Sequence, residues 1–131
     1  MKAKFINVDL EIHSKQAMRA LVRDLGDQVC VLGDGIDDKG IHYTTLELAN
    51  DPEHSGSTAA QSVLALMQAY DTLLESISAA AKEEWNDATT TFDIGYHLLP
   101  DHFSQKVDLP KEVLAIASKH QSAIAVTLYK A

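Results

Sequence analysis

The stretch KFINVDLEI, residues 4–12, alternates between apolar and polar side chains. Ile6, Val8, Leu10 and Ile12 fall on one face, and Asn7, Asp9 and Glu11 on the other. Such a period of two predicts a strand with one buried and one wet face, and so an open sheet covered on one side. Downstream, Ser14 is placed to cap a helix carrying Met18, Leu21, Val22 and Leu25, which Gly26 ends. Strands are expected around Val29–Leu32 and Ile41–Leu48. The loop NDPEHSGS (50–57) precedes Thr58 and Gln61, which have capping-box spacing. They open a long helix whose stripe is Val63, Leu66, Met67, Tyr70, Leu73, Leu74 and Ile77. Thr72 and Glu75 repeat the capping-box spacing and mark a break near Asp71.

Alternation returns in TTTFDIGYHLL (89–99), with Phe92, Ile94, Tyr96 and Leu98 on one face, and Pro100 stops it. Asp108 and Pro110 start a short helix with Val113, Leu114 and Ala117 inward. The last strand is SAIAVTLY (122–129), with Ile124, Val126 and Leu128 inward. The order β-α-β-β-α-β-α-β predicts a single α+β domain over residues 1–131. It reads as a two-layer sandwich with a ferredoxin-like β-α-β-β-α-β core and an added α-β. Helices would cover one face of a largely antiparallel sheet.

With 131 residues, 46% hydrophobic and 23% charged, the chain has a globular balance. It is long enough to bury about two-thirds of its unfolded surface. Its first residues lack the apolar run of a signal peptide, and no stretch of about 18 apolar residues occurs. A cytoplasmic protein without membrane contact is expected. Cys30 is the only cysteine, which leaves no intramolecular disulfide, and VCVL (29–32) reads as a core strand holding it. Nineteen acidic against eleven basic residues give a net charge of −8. That charge excludes ordinary phosphate-backbone binding to nucleic acid and suits a basic protein partner.

No motif carries chemistry. LGDGIDDKG (32–40) looks like an ion or phosphate loop but fails each test. As a calcium loop starting at Asp34 it puts Ile36, Lys39 and Thr45 where ligands or glycine belong. Asp38 breaks a dinucleotide fingerprint, and Ile41 replaces the lysine of a phosphate loop. It reads as a hairpin loop. His13, His42, His54, His97, His102 and His120 are scattered and lack zinc spacing, so no metal or cofactor is expected. Asp93 and His97 share a face but lie roughly 13 Å apart along a strand. No G-x-S-x-G occurs, and Trp85 reads as a core anchor or a partner-facing contact.

The informative feature is the wet sheet face. Alternation assigns to it Asn7, Asp9, Glu11, Tyr43, Thr45, Glu47, Thr91, Asp93, His97, Thr127 and Tyr129. Within this set Asp9, Glu11, Tyr43, Glu47, Asp93, His97 and Tyr129 are the candidate partner-binding residues, because carboxylates pair with Lys or Arg and tyrosine offers rigid contact area. The same carboxylates with His97 would serve a small-molecule binder or acid-base enzyme if the fold brought them close. A homodimer through this face would have to find partners for its carboxylates.

At FINVDLEI (5–12), LELAN (46–50), TTTFDIGYHL (89–98) and KEVLAIASKHQSAIAVTLY (111–129), the chain resembles small bacterial domains of unknown function. Some of those are suspected to be immunity proteins that neutralise a co-produced toxin. The resemblance implies a binding role rather than catalysis and brings no functional residue with it.

Overall fold

A computed structural model describes residues 2–17, 23, 25, 28–48, 62–80 and 87–130. The protein is α+β: among the described residues, a five-stranded mixed open sheet with two helices packed on it. In chain order the elements are β1 (Lys4–Ser14), β2 (Val29–Ile36), β3 (His42–Leu48), α1 (Val63–Ala80), β4 (Thr89–His97), α2 (Lys111–Lys119) and β5 (Ala123–Tyr129). The strands lie in the order β2-β3-β1-β4-β5. All neighbours are antiparallel except β4 and β5, which run parallel. A strand-helix-strand crossover through α2 returns the chain to the same end of the sheet, so β5 can only add in parallel. A ferredoxin-like order therefore does not account for the whole sheet. The expected first helix falls mostly outside the described residues, as do Met18, Leu21, Val22 and Gly26. Leu25 is described and buried.

The apolar face of each strand turns toward the helices. Val8, Leu10 and Ile12 of β1, Leu46 of β3 and Phe92, Ile94 and Tyr96 of β4 are buried there. From α1 the expected stripe supplies Met67, Tyr70, Leu73 and Leu74. The Tyr70 and Phe92 rings meet edge to face at 5.7 Å. Unlike the expected break, α1 runs continuously through Asp71. Its start is capped by Ser62, whose Oγ accepts from the Ala65 N–H at 3.0 Å. Thr58, Gln61, the 50–57 loop and Trp85 lie outside the described residues.

In α2, Val113 and Ala117 are buried, but Leu114 is 52% exposed, contrary to its expected inward position. Ile116 packs on the core instead, completing the i, i+3, i+4 face. Pro110 occupies the N-cap without a side-chain bond, while Asp108 pairs with Lys2 at 2.9 Å. His120 and Lys119 both reach Asp71, at 2.6 and 3.0 Å, tying α2 to α1.

LGDGIDDKG divides between two structures. Leu32–Ile36 belong to β2, and only Asp37–Ile41 form the turn. The Asp37 carboxylate accepts from the Lys39 and Ile41 N–H groups, each at 2.9 Å, and Gly40 takes a positive φ of 81°. Cys30 is exposed rather than buried. Its register places it opposite Glu47, on the outer face.

Candidate functional site

The outer face of the sheet holds a depression of about 290 Å³ over β3, β1, β4 and β5. Register builds it. Asp9 is paired with Glu47 on one side and Asp93 on the other, so three carboxylates stand in one row across three strands. Cross-strand neighbours have Cβ atoms about 4.5–5.5 Å apart, close enough for like charges to repel. The β1–β3 ladder begins at this row, with Asp9↔Glu47. Beyond it the Val8 carbonyl accepts from the buried Tyr70 hydroxyl at 2.7 Å. The row thus lies where β1 and β3 part.

A register shift between Phe5 and Asn7 shapes the next level. Phe5 faces inward against Tyr96, their rings 5.8 Å apart, and Asn7 stands opposite Gly95. Ile6, the extra residue, lines the outer depression, which corrects its expected inward position. Gly95 keeps the floor low: a Cβ there would meet the Tyr129 ring at 3.3 Å. His97 and Tyr129 close the far side, their rings 6.2 Å apart.

The carboxylates have neutral partners. The Asn7 amide donates to Glu47 at 2.5 Å and, at 3.5 Å, to Asp9, while the Thr127 hydroxyl donates to Asp93 at 2.6 Å. Among the described residues no Lys or Arg pairs with any of the three. Burial, reinforced by Glu47, Asp93 and Glu11, pushes the Asp9 carboxyl up to about 6.

That shift predicts the first outcome. Folded Asp9 holds its proton more tightly than the unfolded chain, so its contribution is present below about pH 4 and lost as pH rises through about 6. Asp9→Asn will therefore be more stable than the native chain above about pH 7, by about 1 kcal/mol after discounting for solvent screening. Below about pH 4 the two will be nearly equal. Urea unfolding at both pH values measures the difference.

Of the expected residues, Asp9, Glu47, Asp93, His97 and Tyr129 come together here. Glu11 lies one pleat along β1, opposite Thr45 and Thr91, with His13 at 4.0 Å. Tyr43 sits across from Gly35 near the β2–β3 turn, its hydroxyl over the glycine. Asn7, Gly95 and Thr127 complete the site without having been candidates. A glycine inside a strand is a sequence signal for a bulge or a close approach, and Gly95 meets both descriptions. Among the described residues no three His, Cys, Asp or Glu side chains converge as metal ligands. The described helices include none long and apolar enough to cross a membrane. A second depression, beside Lys2 and Asp108, has those two charges already paired. No protein-family model matches the chain, and neither does any curated protein or solved structure.

Proposed function

We propose that the protein is a non-enzymatic, cytoplasmic interaction domain that holds a basic protein partner on the acidic outer face of its sheet. Toxin neutralisation, as in an immunity protein, is the form of this reading that the sequence resemblance implies. One observation carries the proposal: Glu47, Asp9 and Asp93 stand in register with no basic side chain of the described residues between them. Such a row raises the cost of folding and is relieved when a cation arrives. The volume supports a side chain over a metabolite, because about 290 Å³ is at the lower limit of small-molecule pockets, roughly 300–1,000 Å³. Tyr129 supplies an aromatic wall against which a guanidinium or ammonium can lie.

Acid-base catalysis on a small molecule is the second reading, favoured by the Asp9 carboxyl at about 6. It asks for a second group in reach of the first. The hydrogen bonds of Asp9 and Asp93 run to Asn7 and Thr127 rather than to His97.

The test starts with capture from a lysate of the source cells at low salt. The retained protein is identified, purified and titrated against the chain over a range of sodium chloride concentrations. A basic partner whose affinity falls steeply with salt is expected, since charge pairing at a half-open face is screened. An affinity indifferent to salt would remove the acidic face from the interaction.

A further inference from the structure

β5 ends the sheet, and among the described residues no strand pairs with its outer edge. The Tyr129 carbonyl accepts from the Leu98 N–H at 2.8 Å, which turns the backbone groups of Tyr129 toward the β4 side. Backbone groups alternate sides along a strand, so those of Ile124, Val126 and Leu128 point to the open edge. Edge strands are commonly protected by charges, prolines or bulges. β5 has none: residues 122–129 include no charged residue and no proline, and the pairing with β4 runs without a register shift. The other edge, β2, carries Asp34, two glycines and a shift between Val31 and Gly33. On the helix side of β5, Val126 and Leu128 remain 43% and 50% exposed.

We propose that β5 pairs antiparallel with β5 of a second copy, about a two-fold axis through Val126, to join two sheets into one. This register uses every edge-directed residue. It sets Val126 against Val126 and Ile124 against Leu128 on the helix side. On the outer side it sets Ala123 against Tyr129 and Ala125 against Thr127, so each larger side chain meets an alanine. A closed two-fold interface has to be self-complementary in this way.

Charge selects the occupant. A net charge of −8 sets two copies of the chain against each other overall, and face-to-face stacking would oppose two rows of carboxylates. Along β5 no carboxylate faces another. A basic segment, conversely, finds no carboxylate on this edge and is drawn to the row of Glu47, Asp9 and Asp93. The pairing leaves that outer face open and brings the second copy's Ala123 beside Tyr129 at its rim. It stands independently of the function proposed for the face.

The oligomeric state in solution tests it. The mass of the purified chain is measured by sedimentation equilibrium at micromolar concentrations in physiological salt, beside Val126→Lys and Ile36→Lys. Val126→Lys puts two ammonium groups opposite each other across the axis, at a position half exposed in the single chain. The native chain and Ile36→Lys are expected at twice the single-chain mass. Val126→Lys is expected at the single-chain mass with an unchanged far-ultraviolet spectrum. If Val126→Lys fails to fold, Leu128→Lys carries the same expectation. A native chain at single-chain mass overturns the proposal. So does a folded Val126→Lys that stays dimeric, or an Ile36→Lys that alone dissociates.

Discussion

Replacing Asp9, Glu47 and Asp93 together by asparagine, glutamine and asparagine will weaken binding of the proposed basic partner by about 100-fold or more while leaving the chain at least as stable as before. The two effects have one cause. In the free protein the three carboxylates face one another across β3, β1 and β4 and, among the described residues, receive only neutral donors, Asn7 and Thr127. Amides keep the shape, end the mutual repulsion and remove the cost of burying a charge that raises the Asp9 carboxyl. In the proposed complex the same groups would be the counter-charges of the partner, and losing them would leave its cation desolvated and unpaired. A damaged fold would lower both affinity and stability. A binding surface held at a cost to stability moves them in opposite directions. Titration calorimetry and urea unfolding on the same samples separate these outcomes, and unchanged affinity would sink the assignment of the face.

The second large effect is on folding. Phe92→Ala is expected to cost about 3–5 kcal/mol, a large share of the stability typical of a domain this size. Phe92 is fully buried at the centre of β4, in register with Leu10 of β1 and Ile124 of β5. Above it the Tyr70 ring is locked by its hydroxyl bond to the Val8 carbonyl, so the helix cannot simply settle into the space left behind. The cavity term therefore stays close to its full size. Phe92→Leu, which fills most of the volume, should cost less than about 1.5 kcal/mol. Urea midpoints of both variants check the pair. A Phe92→Ala penalty below about 1 kcal/mol would mean that α1 does not pack on β4 as described.

Both predictions rest on features with different legibility in the sequence. The inward set of β4, the stripe of α1 and the outward positions of Asp9, Glu47, Asp93, His97 and Tyr129 follow from periods of two and 3.6. Where a single residue interrupts the period, the reading fails. Ile6 turns outward because the β1 bulge adds one residue against β4, and every position before the bulge then changes face. Cys30 and Leu114 are exposed against expectation for a related reason. Apolar character says that a residue can be buried, but whether another layer covers it depends on where the strand or helix comes to lie.

Away from the bulges, the sequence by itself determined which residues share a face, because side-chain direction repeats locally along the backbone. It also determined the α+β class, from the alternation of two periods along one chain. Only the tertiary structure decided that Glu47, Asp9 and Asp93 form a single row, that β5 joins in parallel at the end of the sheet, and that the acidic depression opens where β1 and β3 part. Those outcomes depend on register between strands far apart in the chain. Register is set by bulges, ladder ends and crossover paths, none of which has a local period to read.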